Sequence, residues 1–301
     1  MNWHVLQNFM AIAEAKHICG VPHQLLSAKD SKPCIGLVQD AVIGSYLLTS
    51  KDTFLTRSQF FDGMMCAKYM ESEDVPIPTI FAKNADGTWD VRYTGKQLAS
   101  YVLPKKVSMQ KCVRSLEYTD FDSVMDIDER MVIIQEGELL AGKLCKASVG
   151  SSNRGIVHRT VHEQGGWRAS HWVSDMQRVA CHFMSSYGFS IGFEDILHSK
   201  DIQRKIDQTI ESAIDAVVRG QKLAHDAGVN EDRIEAERMR VLSNVLNDVG
   251  RICLSMDENN SILQCIEAGS KGKRLNACQI HGVVGQQVVG GKRVQYRTNP
   301  T

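Results

Sequence analysis

Ile202-Gln-Arg-Lys-Ile-Asp-Gln-Thr-Ile-Glu-Ser-Ala-Ile-Asp-Ala-Val-Val218 repeats an aliphatic residue at every fourth position, at 202, 206, 210, 214 and 218. A four-residue interval is close to one helical turn, so these side chains line one stripe of a long helix. Gly228 interrupts the pattern, and Ile234, Val241, Leu242, Val245, Val249 and Ile252 then resume it. Two such helices joined by a short turn can bury their stripes against each other. The spacing therefore predicts an antiparallel helical hairpin over about residues 200–257, a stretch without proline. A pair of this kind either packs on the rest of the protein or presents a face to a partner, and the pattern leaves both open.

Toward the N-terminus the chain mixes short helical and extended patterns. Asn8–Lys16 reads as a helix closed by Gly20 and Pro22, and Ser58–Met70 as a second. Lys96–Leu103 begins as a helix, and Ser170–Tyr187 carries Trp172, Val173, Met176, Val179, Ala180 and Phe183 at near-helical spacing. Leu37–Asp40, Ala41–Gly44 and Thr88–Tyr93 read as strands, the last after a turn at Asn84–Gly87. Arg130–Gln135 and Glu138–Gly142 flank Glu136-Gly137, a hairpin turn. The class this predicts is α+β: a mixed, β-rich region with short helices over residues 1–187, then a mainly helical region over 188–301. A short helix at Ser261–Glu267 leads into the last part of the second region.

Composition narrows the functional classes. With 301 residues, 43% apolar, 23% charged and only six prolines, the chain can bury a substantial core and has no low-complexity tail. The 35 basic and 35 acidic residues cancel, so the molecule as a whole is no electrostatic clamp for nucleic acid. No run of about 18 apolar residues exists to span a bilayer, and the start lacks the pattern of a signal peptide, so a soluble, intracellular protein without a membrane partner is expected. Nine scattered cysteines without a C-x-x-C pair suit reduced, mostly buried thiols.

Three constellations carry candidate chemistry. His158 and His162 stand at i and i+4, a ligand-like interval on one helix face, but Arg159 occupies the position where a zincin has glutamate and Gly165-Gly166 ends the segment, which favours ordinary surface or interface histidines. Asp122, Asp126, Asp128 and Glu129 cluster without the glycine-containing spacing of a calcium loop, which favours a solvated loop. The third is Ala268-Gly-Ser-Lys-Gly-Lys-Arg-Leu-Asn276 with Cys278–Gln287 and Gly290–Val294, rich in glycine, cations and amides. It invites a phosphate cradle, yet Arg274 follows Gly272-Lys273 where a P-loop needs Ser or Thr, and Glu267 replaces the first glycine. A glycine-rich turn joining two elements is the alternative.

Read together, Met1-Asn-Trp-His-Val-Leu-Gln7, Ser31-Lys-Pro-Cys-Ile-Gly-Leu-Val-Gln-Asp40, Val149-Gly-Ser-Ser-Asn153, Gly188-Phe-Ser-Ile-Gly192 and the block from Ala268 to Val294 resemble the largest subunit of multisubunit DNA-directed RNA polymerases. This is the counterpart of bacterial β′, and the match looks closer to the eukaryotic and viral branch. The matching segments keep the family's order along nearly the entire chain. In the family, the N-A-D-F-D-G-D loop holding the catalytic magnesium is followed by E-M-N-L-H-V-P-Q. Asn2, His4, Val5 and Gln7 match that continuation, whereas Trp3 and Leu6 depart from it.

The resemblance implies that Asn2, His4 and Gln7 adjoin the metal loop, that Mg2+ and its aspartate ligands belong to the assembled enzyme outside this chain, and that the chain holds no catalytic residue of its own. Bridge helix and trigger loop are likewise expected elsewhere. What remains resembles the pore (1–187) and funnel (188–301) through which nucleoside triphosphates reach a two-metal phosphoryl-transfer centre. Lys271, Gln286 and Gln287 match residues of that pore, with Lys271 near the incoming triphosphate. Implied partners are the second-largest subunit, the remaining parts of the largest subunit, template DNA, RNA, and elongation or cleavage factors at the hairpin tip. Ser243 and Leu246 stand where the family's amatoxin pocket usually has asparagine and arginine, which implies weak toxin sensitivity. The implied location is a nucleus, or the host cell or virion of a virus. The other expectation, from a different class, is a non-catalytic remnant or interaction module acting through the hairpin. In either case exposed apolar surface is expected near Met1 and Thr301.

Overall fold

The computed structural model describes residues 2–69, 74–83, 86, 87, 89–112, 129, 131–197, 199–253 and 259–294. The chain forms two compact units, Met1–Phe189 with Glu267–Lys271, and Ser190–Ile266 with Gly272–Thr301.

The first unit is built around two helices, α2 (Asp40–Leu48) and α7 (Gly166–Tyr187). In α2 every residue from Ala41 to Leu48 is buried. This corrects the expectation of strands at Leu37–Gly44: a helix that is apolar all round has no polar face, so its sequence carries no 3.6-residue signal. Gly44 lets the two helices approach, since a Cβ there would lie 2.9 Å from the Ala180 carbonyl oxygen and 2.8 Å from Met184 Cγ. Trp172, Met176, Val179 and Ala180 of α7 are fully buried, as their spacing predicts. The N-terminal α1 (Phe9–His17) is capped by Asn8, whose side chain accepts the Ala11 N–H at 2.7 Å. Around it Trp3 and Phe9 are 86% and 91% exposed, the apolar surface expected near this end, while residues 295–301 lie outside the described set.

Short antiparallel sheets flank this helical pair. Strands β1 (Phe54–Thr56), β2 (Ile80–Lys83) and β3 (Trp89–Thr94) pair in the order β1-β3-β2. Strands β4 (Met109–Cys112), β5 (Met131–Gln135) and β6 (Glu138–Ala141) pair in sequence order. The β5–β6 turn is Glu136-Gly137, both at positive φ (49° and 80°), the conformation a two-residue hairpin turn demands. Helices α3 (Arg57–Cys66) and α4 (Gly95–Val102) each start in a capping box, Thr56 with Gln59 and Thr94 with Gln97. Short helices α5 (Lys146–Val149) and α6 (Ile156–Gln164) precede α7. The α+β class holds.

Buried polar groups tie these pieces together. The Thr49 hydroxyl donates to the Ser45 carbonyl at 2.8 Å and accepts the Leu144 N–H at 2.8 Å. Asp175, 1% exposed, accepts the N–H groups of Lys68 (2.9 Å) and Tyr69 (2.8 Å) and pairs with Arg178. Glu129 is also buried, accepting the Lys51 N–H at 2.8 Å and facing Lys143 Nζ at 2.7 Å. Its expected place in a solvated carboxylate loop is thereby corrected, because a carboxylate with two donors is stable inside. Asp122, Asp126 and Asp128 lie outside the described residues.

The second unit contains the hairpin, α8 (Lys200–Asp226) and α9 (Glu231–Cys253), joined by four residues around Gly228. Ile206, Val249 and Cys253 are its buried centre, with Ile202, Ile210, Val245 and Ile252 packed against them. Farther along the stripe Ile214 and Val218 are 50% and 44% exposed. A period of four advances about 40° per step on a helix of 3.6 residues per turn, so the stripe drifts off the packed face, and Ala213 and Val217 are partly buried in place of its later members. Strands β7 (Val288–Val289) and β8 (Lys292–Arg293) turn at Gly290-Gly291. Arg293 holds Glu235 of α9 with two bonds, 2.6 and 2.8 Å. That bidentate contact, opposed by partial burial and aided by Arg238, holds the Glu235 carboxyl at a pKa of about 2.

Two outcomes are expected. Asp175→Ala strands two backbone donors and destabilises the first unit by about 2–3 kcal/mol in urea titrations followed by Trp172 fluorescence, whereas Arg178→Ala costs about 1 kcal/mol because both N–H donors stay paired. Glu235 has a depressed pKa, so its contribution is present above the ordinary carboxylate range and is lost as pH falls toward about 2. An NMR titration of its carboxyl carbon should give that midpoint, and Arg293→Ala should return it toward the model-peptide value.

Candidate functional site

The glycine-rich stretch from Ala268 to Val294 is entered through α10 (Ser261–Ala268). Its N-terminus is closed by Asn260, whose Oδ1 accepts the N–H groups of Ile262 (3.0 Å) and Leu263 (3.1 Å). Asp195 adds a bond from the Ser261 N–H at 2.7 Å and takes the Gly192 N–H at 2.7 Å with its other oxygen. Burial alone raises the Asp195 pKa, but these N–H donors outweigh it and hold the carboxylate below its ordinary range. The segment Gly188–Gly192, singled out in the sequence, thus leads directly into the residue that caps α10.

At Glu267 the chain joins the first unit. Tyr46 of α2 donates its hydroxyl to Glu267 Oε2 at 2.8 Å. Burial and then the adjacent Glu267 carboxylate push the tyrosine pKa far above its usual value, so it remains a donor. Ala268 is fully buried in the unit's core. Gly269 follows at φ 75°, and a Cβ there would lie 2.8 Å from Lys146 Cβ, so only glycine fits. Lys271 comes two residues later and is exposed.

Beyond it the sequence reading missed a helix, α11 (Arg274–His281). Asn276 accepts the Lys273 N–H with its side chain at 2.8 Å, closing the first turn. Ala277, Cys278 and His281 are buried and Leu275 and Ile280 exposed. The following turn packs on α9: a Cβ at Gly285 would lie 3.3 Å from Leu246 Cδ2. Gln286 Nε2 donates to the Gln287 carbonyl at 3.0 Å, and Gln287 Nε2 to the Gly285 carbonyl at 3.3 Å, so both amides brace their own turn.

Lys271 belongs to the first unit and Gln286 and Gln287 to the second. Asn2, His4 and Gln7 lie exposed on the segment before α1. The Tyr46–Glu267 bond joins residues 221 apart in sequence, and no local pattern signals it. Among the described residues no three His, Cys, Asp or Glu side chains come together as a metal-holding group, so they do not fit a magnesium site. No described helix is long and apolar enough to cross a membrane.

Residues 24–196 match the family model for RNA polymerase Rpb1, domain 3, and residues 214–301 match that for RNA polymerase Rpb1, domain 4. The chain is 32% identical to DNA-directed RNA polymerase II subunit RPB1-B of Trypanosoma brucei brucei, over 98% of this chain and 16% of that protein. It is 32% identical to DNA-directed RNA polymerase III subunit RPC1 of Debaryomyces hansenii, over 98% and 21%. It is 30% identical to DNA-directed RNA polymerase subunit Rpo1N of Halobacterium salinarum, over 98% and 29%. The chain therefore spans under a third of the length of the relatives it matches. With two Rpb1 domains in succession along its length, it belongs to the Rpb1 family, as a segment of a DNA-directed RNA polymerase largest subunit.

Proposed function

We propose that the chain forms the pore (1–187) and funnel (188–301) of a DNA-directed RNA polymerase and serves template-directed RNA synthesis by admitting nucleoside triphosphates. The observation that carries this reading is the succession of Rpb1 domains 3 and 4 along one chain, with the glycine-rich block inside the second. Within that block Lys271 presents an exposed ammonium four residues from Glu267, on backbone pinned through Tyr46 and Gly269. A compact, hydrated charge on a flexible stem over a fixed backbone suits contact with a mobile polyphosphate. Gln286 and Gln287 are assigned to the pore in this reading by the resemblance, and Asn2, His4 and Gln7 to the neighbourhood of the metal loop.

Mg2+ and its ligands would come from polypeptide outside this chain, and the chain alone would be inactive. Its partners in this reading are the second-largest subunit, the rest of the largest subunit, template DNA, RNA and incoming triphosphates. The location would be a nucleus, or an infected cell or virion. A second reading has its own observation in favour. Along the hairpin's longer helix Ile214 and Val218 are exposed one turn apart, a face suited to a non-catalytic interaction module or to elongation or cleavage factors.

Reconstitution separates these readings. The chain should co-purify with a second-largest subunit and restore RNA synthesis when combined with the remaining largest-subunit parts. A chain that never associates sinks the polymerase reading and leaves the interaction module. In the assembled enzyme Lys271→Ala should raise KM for nucleoside triphosphates about tenfold, roughly 1.4 kcal/mol of binding, with kcat within about twofold. An unchanged KM would remove the role assigned to Lys271 alone.

A further inference from the structure

His158 and His162 on α6 bring their Nε2 atoms to 3.2 Å of one another. The rings meet edge to face, with centroids 4.7 Å apart and planes at 83°. His162 is exposed and His158 half-buried, so the space before both nitrogens opens to solvent. Two imidazoles bound to one tetrahedral ion at about 2.0–2.1 Å each hold their nitrogens about 3.3 Å apart. The helix therefore holds the two nitrogens at about the separation of a two-histidine chelate, facing each other across a hydrogen bond that a shared ion would replace.

We propose that His158 and His162 seat one borderline divalent transition ion, of the Ni2+, Cu2+ or Zn2+ class, with water completing its coordination. Neutral imidazole suits these ions, and the Irving–Williams order places Cu2+ above Ni2+ and Zn2+ at such a pair. Mg2+ and Ca2+, which take oxygen ligands, have no donor set here. The site is thus separate from any magnesium chemistry of a polymerase and does not rest on that reading.

Binding has a cost that the structure identifies. The Arg154 N–H donates to His158 Nδ1 at 3.0 Å, which places the proton of neutral His158 on Nε2, facing His162. For His158 to bind through Nε2 that proton must move to Nδ1, and the Arg154 N–H then loses its acceptor. The hydrogen bond between the two Nε2 atoms is given up as well, and at about fivefold for each neutral hydrogen bond the pair corresponds to roughly a 25-fold loss of affinity. The positive charges of Arg154 and Arg159 near His158 add repulsion, which solvent and salt screen. Metal and turn therefore compete for one ring. Arg154 sits at φ 56° in the turn before α6, and Lys111 Nζ holds that turn through the Ala147 (2.6 Å) and Asn153 (2.9 Å) carbonyls. Occupancy should release the Arg154 end while the Lys111 contacts stay.

Calorimetric titration of the whole chain with NiCl2 in a non-chelating buffer tests this. One saturable site is expected, weakened at least tenfold by His162→Ala or His162→Gln and unchanged by His225→Ala, with MgCl2 giving no binding. Hydrogen exchange at the Arg154 amide should quicken on saturation with Ni2+, and not in His162→Ala. Equal Ni2+ affinity in wild type and both His162 variants would place the metal on other histidines or the cysteines and overturn the proposal. So would the absence of saturable binding up to about 1 mM Ni2+, a ceiling of weak affinity.

Discussion

Helix α7 can lie against α2 because residue 44 has no side chain. A Cβ at that point would press on the Ala180 carbonyl oxygen at 2.9 Å, and backbone at a helix crossing has little room to yield. This close approach covers one side of α2, and the rest of the core covers the others. Its polar groups must then be satisfied internally, and they are: Ser45 and Thr49 return their hydroxyls to carbonyls one turn back, and Thr49 also accepts the Leu144 N–H. Tyr46, on the same helix, sends its hydroxyl to Glu267. One missing methyl thus sets the packing distance, the packing imposes the hydrogen bonds, and one of those bonds fixes the glycine-rich segment.

The elements most legible in the sequence were those with one wet and one dry face. Helix α7 and the hairpin α8–α9 show a helical period because half of each meets water. The β5–β6 turn was legible because Glu136-Gly137 demands positive φ at both positions. Where burial is complete the signal fails, as at Ala41–Leu48, which carries β-branched and glycine residues yet is helical. Helix α11 fails for the opposite reason: it buries Ala277, Cys278 and His281 while exposing Leu275 and Ile280, so hydrophobicity marks the wrong face. Glu129 was misplaced because its two donors, Lys51 and Lys143, come from distant parts of the chain.

The candidate site divides in the same way. Its glycines announce a backbone of unusual conformation, and the structure explains two of them: Gly269 by clearance from Lys146 and Gly285 by clearance from Leu246. Lys271 was singled out by resemblance to a family, not by spacing or periodicity, and the Rpb1 matches now support the family while leaving its role to experiment. The anchor was invisible, since Tyr46 and Glu267 are 221 residues apart and neither lies in a motif.

The bland and the functional readings of the glycine block are therefore not rivals. A turn from α10 into α11 must be tight, and tightness is what places a lysine at a defined point without engaging its head. Tyr46, kept protonated by burial and by Glu267, occupies a carboxylate oxygen of Glu267 and joins it to the core. Backbone order is supplied by one long-range hydrogen bond and one glycine, and side-chain freedom by the exposure of Lys271. That separation of a fixed stem from a mobile charge is what the proposed contact of Lys271 with a polyphosphate would require.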